Sequence, residues 1–118
     1  MDTDNKKTVM AYMQAYARHD HPAILATLTD DVEWEVPGAF HTHGKDEFDA
    51  QIEGEGSAGP PAIDVTRLIE ENDIVVAEGS VRAPQTNGNV VSLVYCDVFE
   101  MRGGKIRKLI SYLMPKSQ

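Results

Sequence analysis

"NGNVVSLVYCDVFEMRGGKIRKLISYLM", residues 87–114, is the stretch on which the reading of this chain turns. Two runs rich in β-branched and aromatic residues, 90–101 and 105–114, are separated by Arg102-Gly103-Gly104, and Asn87-Gly88 stands before the first. Such side chains suit the pleated surface of a sheet, and Asn-Gly signals a tight hairpin because both residue types tolerate positive φ. Working backward, residues 62–70 and 73–83 are two further β-rich runs, joined by the turn-like Glu71-Asn72-Asp73. Four strands with connections this short predict an antiparallel meander.

Alternation assigns the faces. An inward Asp97 brings Tyr95, Phe99 and Met101 with it and turns Cys96, Val98 and Glu100 outward. A carboxyl among aromatic and aliphatic neighbours is desolvated, so its pKa rises, and groups shifted in this way cluster at functional sites. The structural alternative is that Asp97 pairs with a buried donor such as Arg82 or a histidine. On the last run, inward Leu109, Ser111 and Leu113 leave Ile110, Tyr112 and Met114 on the outer face with Val98, an apolar stripe of the kind that marks an interface.

The first third of the chain reads as mainly helical. Val9, Met13 and Tyr16, with Tyr12 beside them, recur at helical spacing and predict a helix over about 4–18, with Tyr12 and Tyr16 one turn apart on its buried face. Asp20 is a good N-cap and Pro22 fits a first turn, which predicts a second helix to about Leu28, broken by Thr29-Asp30-Asp31. "VEWEV", residues 32–36, alternates as one early strand that ends at Pro37-Gly38. It sets Val32, Trp34 and Val36 on one face and Glu33 and Glu35 on the other, where a catalytic part for the glutamates is not expected. Residues 45–52 predict a short third helix, and the Gly- and Pro-rich 54–61 a loop. The expected architecture is α+β: three N-terminal helices covering a cone-shaped curved antiparallel sheet, in a single domain over 1–118.

A net charge of −8 argues against a nucleic-acid partner and against adsorption to an anionic membrane, both of which draw on basic side chains. No apolar run reaches the roughly 18–20 residues that span a bilayer, and the opening residues hold no apolar signal segment. Cys96 is the single cysteine, which leaves no intrachain disulfide and no multi-cysteine metal site. The expectation is a cytoplasmic protein without a nucleic-acid or membrane partner.

His41 and His43 stand at i, i+2, so on an extended segment they face the same way. A metal site needs further ligands, and no nearby cluster in the sequence supplies them, so neither a metal nor a cofactor is expected. Histidine carries protons near neutrality, which makes this pair candidate proton acceptors. His19 and His21, at a turn between helices, are expected to face solvent, and Cys96 has no activating partner.

The stretches "YARHDHPAILATLTDDVEWEVPG" (16–38), "HTHGKDEF" (41–48) and "YCDVFEMRGGKIRKLISYL" (95–113) resemble the nuclear-transport-factor-2-like superfamily, and within it the SnoaL-like and ketosteroid-isomerase-like proteins. Order, spacing and turn positions carry the resemblance over nearly the whole chain. The isomerases of that group use a tyrosine on the first helix, an aspartate at the end of the first strand and an aspartate on a later strand. The resemblance places Tyr12 and Asp97 at two of these positions, while Val36 stands where the general base would be. The epoxide hydrolases of the superfamily use an arginine flanked by two aspartates. Asp97 matches one aspartate, Tyr95 occupies the arginine position, and the last strand has no aspartate, so that activity fits less well.

The resemblance thus implies a small-molecule-binding protein, as an isomerase, cyclase or dehydratase of an apolar carbonyl compound. Its expected catalytic residues are Asp97, Tyr12, His41 and His43. Its expected pocket residues are Tyr16, Trp34, Val36, Phe40, Tyr95, Phe99, Leu109 and Leu113. A homodimer through the outer sheet face is expected. The competing expectation, which Val36 favours, is a non-catalytic dimeric module that binds a ligand or fills its cone with side chains.

Overall fold

The computed structural model describes residues 3–54 and 56–116. Helix α1 (Asp4–Ala17) starts at Thr3, whose hydroxyl accepts the Lys6 N–H, and buries Val9, Tyr12, Met13 and Ala15. Helix α2 (His21–Leu25) is capped by the Asp20 carboxylate accepting the Ala23 N–H at 3.2 Å, with Pro22 in the first turn. It ends sooner than its apolar pattern suggests. Leu28 already pairs with Ile106, and the Ile106 N–H donates to the Thr27 carbonyl at 2.8 Å, so the chain is drawn into a sheet before a further helical turn can form. Thr29-Asp30-Asp31 is therefore strand rather than breaker: β1 runs Leu28–Val36, with a register shift between Leu28 and Glu33.

The early region holds a second strand as well, which corrects the expectation of one. β2 (Phe40–His43) folds back on β1 through Pro37-Gly38-Ala39, where Gly38 adopts a φ of 86° that L residues rarely take. Helix α3 (Gly44–Gln51) follows, and then β3 (Ala62–Glu71), β4 (Ile74–Pro84), β5 (Val90–Arg102) and β6 (Lys105–Pro115). The sheet order is β2-β1-β6-β5-β4-β3, antiparallel throughout except for β1 beside β6. The fold is thus α+β with an open, curved six-stranded sheet.

The tight turns fall elsewhere than Asn87-Gly88. Both central residues have positive φ in Asn72-Asp73 and in Gly103-Gly104, the two-residue form that suits twisted strands. At Asn87-Gly88 only the glycine does, and a longer loop closes with the Gln85 N–H on the Asn89 carbonyl. Register shifts at Val65/Arg67 in β3 and Glu100/Met101 in β5 add local bends to the meander. At the first of these, β4 carries Gly79. A Cβ there would lie 1.8 Å from the Asp64 carbonyl oxygen and 2.7 Å from the Tyr95 hydroxyl, so only glycine admits this approach. Tyr95 donates to that same carbonyl at 3.0 Å.

The core lies between the helices and the inner sheet face. Phe48 of α3 stacks on Trp34 of β1 at 4.5 Å and meets Tyr12 of α1 edge-on, and Tyr12 in turn packs on Phe99 of β5 at 5.6 Å. Aromatic pairs in such offset and edge geometries add to the stabilisation from area burial alone. No helix among the described residues is long and apolar enough to cross a membrane.

Candidate active site

Strand alternation builds the floor of the site. In β5, Tyr95, Asp97, Phe99 and Met101 are buried while Cys96, Val98 and Glu100 are half-buried, as the parity of the strand requires. Asp97 is paired with Ala77 of β4 and Ser111 of β6, two small residues that leave open space over its carboxyl. Above that floor lies a cavity of about 380 Å³. Tyr12 and Tyr16 border it from α1, Trp34, Val36 and Phe40 from the β1–β2 hairpin, and Ile52, Glu53 and Gly54 from the end of α3. Ser57, Gly59 and Pro61 of the following loop and Ile63, Val81, Leu93 and Leu113 of the sheet complete most of the rim. Such a lining, largely apolar with a few polar groups, is usual for a small-molecule site.

Burial dominates the chemistry of Asp97. Its residue is only 8% exposed, and desolvation pushes its carboxyl up to about 7, with a hydrogen bond from Ser111 working in the opposite direction. The indole N–H of Trp34 donates to the Ser111 oxygen at 3.1 Å. Indole can only donate, so the serine hydroxyl keeps its own proton for the carboxyl. Trp34 thus orients the Ser111 hydroxyl beside Asp97, its cross-strand neighbour. The alternative partners do not reach it: Arg82 is exposed, and among the described residues no ion pair involves Asp97.

The tyrosines divide by what their hydroxyls do. Tyr16 donates to the Ile52 carbonyl at 2.7 Å and ties α1 to the end of α3, and Tyr95 is spent on Asp64. Tyr12 has no hydrogen-bond partner among the described residues, yet no side-chain polar atom there is sealed from solvent without a partner. Its hydroxyl therefore opens onto the cavity. Burial, followed by the nearby Tyr16 and Asp97, raises its pKa, so it stays a phenol and a donor.

Several expected residues lie elsewhere. Phe99 and Leu109 are fully buried in the core and do not border the cavity; Tyr12 of α1 packs on Phe99. Leu113 does border it but is 47% exposed, at the rim. His41 and His43 are exposed and do not border it at all. The register of β2 turns Phe40 and Thr42 inward, so its histidines share the outer face with Glu33, where His41 Nε2 meets Glu33 Oε1 at 3.0 Å.

The imidazole that borders the cavity is His19, which had been expected to face solvent. Its side chain is 11% exposed, lies edge-on to Tyr16 and has Nδ1 3.5 Å from a Glu53 carboxylate oxygen. It takes this place by adopting a φ of 51°, a left-handed turn that no sequence periodicity announces. His21 is also partly covered, held by Asp49 at 2.6 Å and Glu53 at 3.4 Å. Cys96 sits on the outer parity, where burial pushes its thiol up and away from reactivity.

An open curved sheet wrapped around helices, with a polar-floored apolar cavity between them, defines the nuclear-transport-factor-2-like class of fold. Within that class the chain belongs to the SnoaL-like domain family, whose sequence profile matches residues 9–109. An NTF2-like protein of unknown function from Burkholderia pseudomallei K96243 superposes with a TM-score of 0.87 at 24% identity, over 96% of this chain and 92% of that one. An LEH-like epoxide hydrolase of M. tuberculosis gives 0.82 at 21% identity, over 94% and 83%. A SnoaL-like polyketide cyclase candidate from Shewanella putrefaciens CN-32 gives 0.83 at 12% identity, over 96% and 91%. At these identities the likeness establishes the fold alone. Among proteins with curated descriptions, none matches the sequence.

Proposed function

We propose that this protein binds a small apolar compound carrying a carbonyl or phenolic oxygen and acts on it as an isomerase, cyclase or dehydratase. The observation that carries the reading is Asp97, a buried carboxyl titrating near 7 at the floor of an apolar cavity and within electrostatic reach of the free Tyr12 hydroxyl. Near neutrality both groups offer a proton into the cavity. Two donors converging on one ligand oxygen would stabilise negative charge as it develops there, the role of an oxyanion hole. Val36 borders the same space and has no lone pair, so a proton acceptor must come from another residue. His19, backed by Glu53, is the imidazole placed at the cavity wall and takes that role in this reading.

Binding of a fluorescent naphthol such as equilenin tests the proposal. Affinity is expected to fall as pH rises through about 7, because ionised Asp97 has no proton to donate. The profile is expected to flatten in Asp97→Asn, and Tyr12→Phe is expected to weaken binding across the range. Absence of binding to the wild type, or a pH profile unchanged in Asp97→Asn, would count against it.

Val36 favours a second reading, a binding module without turnover. Ligand binding with the pH profile above, but no conversion of the ligand by the wild type, would select it. In either reading we propose a homodimer through the outer sheet face, where Ile69, Val94, Tyr112 and Met114 are exposed apolar residues on three strands, β3, β5 and β6.

A further inference from the structure

The two histidines that lacked a third ligand in the sequence gain one from the fold. In the β1–β2 register Glu33 lies opposite His43, and Glu35 opposite His41, so all four project from the outer face, away from the cavity. Glu33 Oε1 is 3.0 Å from His41 Nε2 and 3.8 Å from His43 Nδ1, and the two imidazole rings are 4.6 Å apart. One donor atom from each of the three residues lies within 4.8 Å of the other two. Zinc binds imidazole nitrogen and carboxylate oxygen at about 2.0–2.2 Å, which sets tetrahedral donors roughly 3.3 Å apart. The Glu33–His41 pair is already near that spacing, and rotation of the exposed His43 side chain closes the rest.

The electrostatics also fit a cation. Glu33 is a half-buried surface carboxylate, an anionic oxygen donor at neutral pH beside the two imidazoles. Arg107 approaches the other carboxylate oxygen, Oε2, at 3.9 Å, and leaves Oε1 to the histidines. Lys108 is the cross-strand neighbour of Glu33, and Glu47, which accepts the His43 backbone N–H at 2.8 Å, supplies a compensating negative charge.

We infer that Glu33, His41 and His43 form a zinc-binding site on the outer face of the β1–β2 hairpin, separate from the cavity. The ion would cross-link the four-residue edge strand β2 to β1, with water in the remaining position. Histidine and carboxylate donors also suit other late first-row ions, and zinc is the one proposed because a tetrahedral three-ligand set with one open position is its common arrangement.

Calorimetric titration of the tag-free protein with zinc chloride, with thermal denaturation beside it, tests the site. One ion per chain and a raised Tm are expected, since a ligand held only by the folded state stabilises it. His41→Ala and Glu33→Gln are each expected to weaken binding by about tenfold or more. His21→Ala, in the other imidazole–carboxylate cluster, is expected to leave it unchanged. All three positions are outside the fully buried core, and circular dichroism checks that each variant folds. No binding at millimolar zinc, binding undiminished in both site variants, or loss confined to His21→Ala would overturn the inference.

Discussion

Asp97 and Glu33 carry the same carboxyl group on opposite faces of one sheet, and their surroundings push them in opposite directions. On the inner face, desolvation drives Asp97 up to about 7, with only a serine hydroxyl to offset it. On the outer face, a hydrogen bond with His41 leads the influences that lower Glu33. The inner carboxyl is therefore suited to holding a proton near neutrality and the outer one to holding a cation. Strand parity decides which, because one residue of shift along β1 or β5 would exchange the two environments.

The contrast breaks most sharply where the inner face is emptied. Phe48, fully buried between Trp34 and Tyr12, is expected to cost about 3–5 kcal/mol when changed to Ala, as read by urea denaturation. The next largest effect is pH-dependent. In the unfolded chain Asp97 titrates near its ordinary 3.8 and in the folded chain near 7, so between these values the folded state binds more protons. Its contribution to stability is thus most favourable below about 4, falls as pH rises through the window, and above 7 reaches the full cost of a buried charge. Asp97→Asn is expected to stabilise the protein by a few kcal/mol at pH 8 and by almost nothing at pH 4. Denaturation of both proteins at the two pH values measures this, and an equal difference at both would show that Asp97 does not titrate as a buried group. The smallest effect on the fold belongs to the outer face. Tyr112→Asp combined with Met114→Glu is expected to change chain stability little while shifting a dimer to monomer in light scattering, because both positions are at least half exposed.

Much of this was legible before any coordinates. The inward run Tyr95, Asp97, Phe99, Met101 follows from alternation alone, and the Asp20 cap and Pro22 locate α2. What escaped the sequence depends on partners remote along the chain. β2 is only four residues at the sheet edge, and its Phe-His-Thr-His pattern has too few apolar positions to announce a strand. Without β2 there is no register, and without register Glu33 cannot be placed beside His41 and His43. His19 reaches the cavity wall through a left-handed backbone that composition does not encode. The end of α2 was set by Ile106, far along the chain, competing for the Thr27 carbonyl.

Gly79 borders no part of the cavity, yet it makes room for the tie that holds Tyr95, which does border it. Its missing side chain is what lets β3 lean in until the Asp64 carbonyl catches the Tyr95 phenol, like a drawstring tied outside the purse. Any L residue there would collide with the Asp64 carbonyl and the Tyr95 hydroxyl, so a side chain on the cavity wall can be disturbed from a position outside it.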